Sequence, residues 1–162
     1  MNIELIKNKD WKQFRTLRLE ALLSNPEAFG SSFEEEVNLS DKEFEINFNK
    51  STIFGAFEEK DLIGCVGFFI YSFLKMKHKG AVFSMYTKPE YRNLGVGNAL
   101  LQYVIAYAKD KVMQLHLTVV TTNRAAIELY QKNGFTIYGT EPRALKVNDQ
   151  FYDEHLMVLN LF

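Results

Sequence analysis

The residues that most clearly indicate a chemical role in this sequence are two glycines, Gly95 and Gly97, which flank Val96 at the predicted start of a helix. An apolar strand pattern ends just before them, at Thr87, and the helix is expected to run from about Gly97 to Asp110. Glycines let the backbone approach a ligand closely, and the first N–H groups of a helix have no partner within the helix. Together with the helix dipole, these amides favour a bound phosphate group.

The spacing around this loop excludes two common phosphate-binding motifs. A dinucleotide fingerprint requires a third glycine where Leu100 stands, and it follows its strand directly. A P-loop requires Gly-Lys-Ser or Gly-Lys-Thr, whereas this chain continues Gly97-Asn98-Ala99. The pattern that remains is Arg-x-x-Gly-x-Gly, which begins at Arg92 and is separated from the strand by a Lys-Pro-Glu-Tyr turn.

This pattern closely resembles the pyrophosphate-binding motif of GNAT-superfamily N-acetyltransferases. A second segment, from Asn123 to Phe135, is similar to another signature of that family, Asn-x-x-Ala-x-x-Leu-Tyr-x-x-x-Gly-Phe, at every defined position. The two motifs occur in the family's order, with a helix and a strand predicted between them. The resemblance covers about residues 85 to 135, and it implies an N-acetyltransferase that uses acetyl coenzyme A (acetyl-CoA) and no metal.

The resemblance also implies where the cofactor binds. In the family, the strand before the loop diverges from its parallel neighbour and binds pantetheine, and a main-chain N–H there faces the thioester oxygen. The loop amides bind the pyrophosphate, and Arg92 either adds positive charge or is a solvated cation. The cofactor-binding residues implied in this way are Met85, Tyr86, Thr87, Arg92, Asn93, Leu94, Gly95, Val96, Gly97, Asn98 and Asn123.

Tyr130 is the candidate catalytic residue. It follows Asn123 and Ala126 at helical spacing, so that the three share one side of a helix that Asn123 caps and Gly134 ends. This position also suits a core tyrosine with a satisfied hydroxyl. In the family, however, the matching tyrosine protonates the departing thiolate, and a phenol of pKa ~10 is protonated at neutral pH.

The sequence identifies no general base. An amine acceptor such as lysine, with a pKa of ~10.4, must lose a proton before it attacks the thioester. Related enzymes often place a glutamate on one of two strands, at positions that are Ala81 and Thr118 here. A water chain or an acid from elsewhere is therefore expected, and the candidate acids are Glu34, Glu35, Glu36, Glu141, Asp153 and Glu154.

The acceptor side is expected to comprise Glu27 to Asn49 and a loop from Glu141 to Asp153, where the family varies most. Phe29 and Glu34 are the predicted substrate-binding residues. The Glu34-Glu35-Glu36 run favours a cationic acceptor, although three glutamates also suit a solvated helix face. The expected acceptor is a primary amine of a small molecule, protein or peptide whose identity stays open.

The elements that must position these residues form a mixed α/β pattern. A first helix is expected to begin at a capping box of Asp10 and Gln13, and another at Ser40 and Glu43. Strands are predicted over residues 2–7, 52–57, 62–74, 81–87, 115–120, 135–138 and 152–161. The implied GNAT-like fold has a central, mostly antiparallel sheet of about seven strands, one parallel pair joined by a crossover helix, and helices on both faces.

Composition limits the classes of function. The chain has 162 residues, of which 47% are hydrophobic, so a single domain over residues 1–162 is predicted. A net charge of −1 gives no basic field for nucleic acid. The lone Cys65 and three scattered histidines predict neither a disulfide within the chain nor a zinc site. The longest uncharged run, residues 94–108, is too short for a membrane span, so a cytoplasmic protein is expected, and a homodimer stays open.

Two other functions stay open on the sequence alone. The absence of a carboxylate at Ala81 and Thr118 suits an acyl-CoA-binding module without turnover, although such a module needs no general acid at Tyr130. A nucleotide-binding regulatory domain would use the glycine loop for phosphates only. It would bind ATP or NAD in a way that acetyl-CoA does not displace.

Overall fold

One seven-stranded sheet organises the protein, for which a computed structural model describes residues 1–162. Its strand order is β1-β2-β3-β4-β5-β7-β6. The strands are β1 (Asn2–Leu5), β2 (Thr52–Glu58), β3 (Asp61–Ile70), β4 (Lys79–Thr87), β5 (Gln114–Val120), β6 (Thr136–Val147) and β7 (Gln150–Asn160). All neighbouring strands are antiparallel except β4 and β5, which form the predicted parallel pair.

Helices cover both faces of this sheet, as predicted. They are α1 (Trp11–Ser24), α2 (Phe33–Val37), α3 (Asp41–Phe48), α4 (Val96–Ala108) and α5 (Arg124–Lys132). Buried side chains of α1 and α3, including Phe14 and Phe44, form one core cluster with the inner strands. Leu100 and Val104 of α4 and Tyr130 of α5 belong to a second cluster. The two clusters lie on opposite faces, and burial of their apolar area is the main stabilising contribution.

Of the two capping boxes predicted from the sequence, one is present at its helix start and the other is not. Ser40 and Glu43 form the predicted capping box, in which the Ser40 hydroxyl accepts from the Glu43 N–H and the Glu43 carboxylate accepts from the Ser40 N–H. The capping box predicted at Asp10 and Gln13 is wrong. Asp10 ends a 3-10 turn and makes no side-chain cap, and Gln13 instead donates to the Lys60 carbonyl at 2.9 Å.

The Asn123 motif builds α5 as predicted. The Asn123 side chain accepts a hydrogen bond from the Ala126 N–H at 3.2 Å, which caps the helix. Gly134 adopts a left-handed φ of 92° and ends it, a conformation that glycine adopts without steric cost. The chain then returns so that the Phe135 N–H donates to the Tyr130 carbonyl, and the two rings pack 6.0 Å apart. This motif therefore fixes where Tyr130 stands.

The predicted end of β3 and the predicted loop from Glu141 to Asp153 are both wrong. β3 ends at Ile70 rather than Leu74, because a 3-10 turn at Leu74–Met76 starts the reversal into β4. The loop predicted from Glu141 to Asp153 is instead the end of the β6–β7 hairpin, whose strands are joined at Asn148 and Asp149. Asn148 has a φ of 54°, which a short asparagine side chain tolerates in a tight turn. The polar residues of β6 concealed its strand pattern.

Candidate active site

The candidate site begins where the parallel strands part. β4 and β5 pair only at Lys79 with Gln114, Gly80 with Leu115 and Ala81 with His116. β4 nevertheless continues to Thr87, and β5 continues to Val120 while paired to β7. Beyond Ala81 the β4 edge that faces β5 has therefore lost its strand partner. The divergence that the family resemblance implied at Met85 to Thr87 is present.

A bulge in β4 accompanies this divergence. Phe83 pairs with Gly67 and Tyr86 pairs with Cys65, so that Ser84 and Met85 lie opposite a single residue of β3. Ser84 has a left-handed φ of 51°, which is uncommon for a residue other than glycine. The bulge turns the end of β4 away from the regular ladder, and local backbone strain of this kind is often found at functional sites.

Side chains hold the bulge from both sides. The Arg18 guanidinium donates to the Ser84 hydroxyl at 2.7 Å, and the buried Cys65 thiol donates to the Ser84 carbonyl at 3.3 Å. Arg18 is itself fixed by Glu36 of α2, with an Nη2 to Oε1 distance of 2.9 Å, and its guanidinium lies over the Phe29 ring. Burial raises the pKa of the Cys65 thiol to about 12, which fits a structural rather than a nucleophilic cysteine.

The glycine loop presents unpaired backbone donors. From Asn93 to Asn98, no N–H group donates to a backbone or side-chain acceptor, and the first helical bond of α4 runs from the Ala99 N–H to the Gly95 carbonyl. Asn93 and Gly95 both have positive φ, 63° and 83°, so that the chain turns sharply into the helix. We call the N–H groups of residues 93–98 the amide cradle. Successive backbone donors at a helix start form an anion-binding arrangement.

Space beside the amide cradle is kept open by Gly97. A Cβ atom added there would lie 3.4 Å from Leu129 Cδ2 and 3.8 Å from Thr87 Oγ1, so that the position faces the gap between α4 and α5. Arg92 anchors the loop, since its guanidinium donates to the Thr87 carbonyl at 3.0 Å and to the Asn25 side chain at 3.2 Å. Arg92 thus remains exposed and makes structural contacts at the rim.

A cavity of about 540 Å³, which we call the loop cavity, runs beside the amide cradle. Its lining brings together ten of the eleven predicted cofactor-binding residues, namely Met85, Tyr86, Thr87, Arg92, Asn93, Gly95, Val96, Gly97, Asn98 and Asn123. Leu94 is the exception, since its side chain is 69% exposed and outside the cavity. The residues present fit a pyrophosphate followed by an extended pantetheine arm, because open amides adjoin an unpaired strand edge.

A second cavity of about 300 Å³, the tyrosine cavity, continues the first. Both share Phe29, Met85, Asn123 and Leu129, and the second adds Tyr130 together with Arg18, Ser84, Thr118 and Glu154. Tyr130, which the spacing placed on the same side of α5 as Asn123, thus lines the same cleft that the glycine loop borders.

The Tyr130 side chain is suited to hold a proton. It is 7% exposed, and burial alone raises its pKa to about 12. Its hydroxyl has no hydrogen-bond partner in the protein, yet no buried polar side-chain atom is left unpaired, so the oxygen is accessible from the cavity that Tyr130 lines. A neutral phenol at this position can donate to a developing anion.

Of the two predicted substrate-binding residues, only Phe29 lines the cleft. Phe29 is buried and lines both cavities. Glu34 lies on the exposed side of α2 and lines neither cavity. Of its neighbours, Glu35 caps α2 through Ser32, and Glu36 pairs with Arg18. The glutamate run is therefore largely used to build α2 rather than to line the cleft.

Sequence reasoning did not single out Arg18 and Ser84, and it left Glu154 as one candidate among several. Arg18 and Ser84 are 66 residues apart, and no motif links them. No local pattern marked the bulge at Ser84, because a single serine within an apolar strand is compatible with a regular strand. No group of three or more His, Cys, Asp or Glu side chains could hold a metal ion. No helix of the protein has the length and apolarity to cross a bilayer.

Comparison with known proteins gives a consistent result. A sequence model of the acetyltransferase (GNAT) family matches residues 11–135. Acetyltransferase PseH of Campylobacter jejuni is 37% identical over 87 residues, which are 52% of this chain and 51% of that protein. L-amino acid N-acetyltransferase AaaT of Escherichia coli is 32% identical over 79 residues, which are 48% of this chain and 49% of that protein.

The chain thus spans about half the length of the curated relatives it matches. A crystal structure of a GNAT-family acetyltransferase from Streptococcus pneumoniae superposes over 99% of both chains, with a TM-score of 0.86 and 28% sequence identity. Both glycine-loop and Asn123 motifs lie within the segment that the family model matches. The chain belongs to the acetyltransferase (GNAT) family.

Proposed function

We propose that this protein, acting as a single domain over residues 1–162, transfers an acetyl group from acetyl-CoA directly to a primary amine. The observation that carries the proposal is the continuity of the cleft. The loop cavity borders an amide cradle without internal partners, and the tyrosine cavity that continues it contains a protonated phenol. Relatives at over 30% identity named acetyltransferases, one of them an N-acetyltransferase, support this reaction class.

Cofactor binding is assigned to the backbone. The amide cradle would hold the pyrophosphate, because unpaired N–H groups and the positive end of α4 both favour negative charge there. The β4 edge from Met85 to Thr87 would hold the pantetheine amides, since it no longer pairs with β5. Acetyl-CoA supplies the activated acyl group as a thioester, and the cleft leads it toward Tyr130.

Tyr130 is assigned as the general acid. The thiolate that leaves the thioester needs a proton, and the Tyr130 phenol is neutral and accessible from the tyrosine cavity. Phe29 and Arg18 also line that cavity. An acceptor amine would bind beside them, with Phe29 providing an apolar contact. Glu34 lies outside the cleft, so it has no role in this proposal.

A panel of primary amines tests the proposal. The protein is incubated with acetyl-CoA and, in turn, amino acids, polyamines, aminoglycosides or peptides with free N-termini, and free thiol release is measured together with the mass of the acceptor. We expect at least one amine to give acceptor-dependent thiol release and an acetylated product. Binding of acetyl-CoA with no turnover on any amine would instead support the acyl-CoA-binding module, which the lack of a carboxylate at Ala81 and Thr118 favours.

A further inference from the structure

We propose that Glu154 is the general base of this reaction, and that its carboxylate removes the proton that the acceptor amine must lose before attack. The inference rests on the proposed function, because a base is needed only if an amine is acetylated. It supplies the group that neither Ala81 nor Thr118 provides.

The position of Glu154 follows from the strand register. On β7 it lies directly opposite Val120 of β5 on one side and Glu141 of β6 on the other. Opposed residues of antiparallel strands project from the same face, as do residues two apart on one strand. Glu154 therefore shares a face with Val120 and with Thr118, and all three line the tyrosine cavity together with Tyr130.

Thr118 connects this geometry to the missing carboxylate. The sequence places a threonine on β5 at one of the two positions where a glutamate was sought. The Thr118 hydroxyl lies near the Glu154 carboxylate, and its influence lowers the carboxyl pKa. β7 thus brings a carboxylate from the neighbouring strand to the side of Thr118, in the same cavity as the proposed general acid.

The other candidate carboxylates are engaged elsewhere or are exposed outside the tyrosine cavity. Glu36 pairs with Arg18, Glu35 accepts from Ser32, and the Asp153 carboxylate accepts from the Arg143 N–H at 2.8 Å. Glu34 and Glu141 are exposed. None of these five lines the tyrosine cavity, whereas Glu154 does.

The charges around Glu154 suit a proton acceptor. Burial is the largest influence and raises its pKa, the Thr118 hydroxyl lowers it, and the Glu141 carboxylate raises it again. Arg18, the cation in the cavity wall, is paired with Glu36 and hydrogen-bonded to Ser84, so its charge is largely balanced. The net direction is upward, which brings the proton affinity of this carboxylate closer to neutral pH, where a general base is most effective.

The acceptor nitrogen loses two protons in the proposed reaction. The ammonium form of the acceptor gives one proton to the Glu154 carboxylate, which later releases it to solvent. The neutral nitrogen attacks the thioester carbon, so that a C–N bond forms and the C–S bond breaks. The nitrogen then loses its second proton to solvent, and the thiolate takes a proton from the Tyr130 phenol, which regains one from solvent. The products are the acetylated amine, coenzyme A with a free thiol, and one proton.

The test compares Glu154→Gln with wild type across pH, using the amine that gives turnover in the panel. General-base assistance is worth about 10²–10⁴-fold, so kcat should fall by at least about 100-fold near pH 7. The loss should shrink as the pH approaches the pKa of the acceptor amine, because the amine is then already neutral. Glu154→Asp should restore part of the rate. Glu128→Gln is the matched control, since Glu128 is exposed on α5 and lines neither cavity.

Stability distinguishes a catalytic from a structural role. The folded-state pKa of Glu154 is raised above its unfolded value, so the unfolded chain releases its proton first as the pH rises. Ionisation of Glu154 therefore lowers stability above the unfolded pKa, and Glu154→Gln should melt at or above the wild-type temperature at pH 7. A structural residue would instead lose stability and activity together, at every pH.

The outcomes separate this inference from the proposed function. If the wild type turns over an amine and Glu154→Gln has the same rate and pH profile, the base assignment is overturned. The proposed N-acetyltransferase activity is then unaffected. A pH-independent rate loss with a lower melting temperature would also overturn it. A wild type without thiol release on any amine would overturn the proposed function, and the base assignment with it.

Discussion

The amide cradle and the tyrosine cavity are neighbouring parts of one cleft, yet they are built in different ways. The cradle is a run of consecutive backbone donors, from Asn93 to Asn98, in one loop and the first turn of α4. The tyrosine cavity takes single side chains from distant parts of the chain, including Arg18 of α1, Tyr130 of α5 and Glu154 of β7. The proposed backbone site requires only a short local motif, whereas the proposed catalytic part of the cleft requires elements from the whole sheet.

The two regions also differ in charge. The cradle has partial positive charge from peptide dipoles and no paired side-chain charge, which suits a ligand with fixed negative charge. The tyrosine cavity is lined by Arg18, whose charge is balanced by Glu36 outside the cavity, and by two groups, Tyr130 and Glu154, whose pKa values are raised by burial. Perturbed proton affinities of this kind are expected where protons are transferred. Substitutions in the two regions should therefore change different measured quantities.

The largest effect is expected from Gly97→Asp in the cradle. A carboxylate there would stand beside the pyrophosphate, and a few kcal/mol of like-charge repulsion at short range corresponds to a loss of acetyl-CoA affinity of about 1,000-fold. Folding should survive, since an aspartate in the first turn of α4 interacts favourably with the helix dipole. Calorimetric titration of the folded variant provides the measurement.

Gly97→Asn is the matched control for that experiment. It has nearly the same shape as aspartate but no charge, and its Cβ atom would meet only Leu129 and Thr87 at ordinary contact distances. We expect it to weaken binding far less than Gly97→Asp does. Equal losses in both variants would attribute the effect to steric exclusion, and wild-type affinity in Gly97→Asp would contradict the assignment of the cradle.

A smaller effect, on rate instead of affinity, is expected from Tyr130→Phe. The change removes one hydroxyl and keeps the ring that packs on Phe135. Because a thiolate can also take a proton from water, we expect kcat to fall by about 100-fold, at the low end of general-acid contributions. Acetyl-CoA affinity should stay near wild type. Stopped-flow thiol release and calorimetry on one preparation measure both quantities.

The melting temperature supplies the control for Tyr130→Phe. The hydroxyl makes no hydrogen bond within the protein, so its removal should not destabilise the fold. An unchanged kcat in the variant would contradict the role of Tyr130 as general acid and would make it a core residue only.

The smallest effect is expected at the bulge that joins the two regions. Ser84→Ala and Ser84→Gly both remove the hydroxyl that accepts from Arg18, so both lose the same hydrogen bond. Glycine tolerates the φ of 51° at this position and alanine does not, so Ser84→Gly should be the more stable variant by about 1 kcal/mol. Chemical denaturation compares them, and an alanine variant as stable as the glycine variant would contradict backbone strain at Ser84.

The difference between the regions also explains what could be predicted from the sequence. The unpaired N–H groups at the start of α4, the Asn123 cap and the Gly134 stop are local, so spacing and residue type predicted them correctly. The Ser84 bulge and the Arg18–Glu36 pair depend on contacts between elements that no local pattern encodes. The end of the β6–β7 hairpin, from Glu141 to Asp153, was predicted as a loop because the polar residues of β6 hid its strand period. Glu154 lay in the predicted strand 152–161, but no local pattern distinguished it from the other five candidate carboxylates.

The most direct test of the central claim is an amide NMR titration of the protein with coenzyme A and, separately, with pantetheine, which lacks the pyrophosphate. If the cradle binds the pyrophosphate, the N–H resonances of residues 93–98 should shift strongly with coenzyme A and little with pantetheine. Resonances from Met85 to Thr87 should respond to both ligands. Large shifts elsewhere with an unchanged cradle would contradict the proposed division of the cleft into a backbone binding region and a side-chain catalytic region.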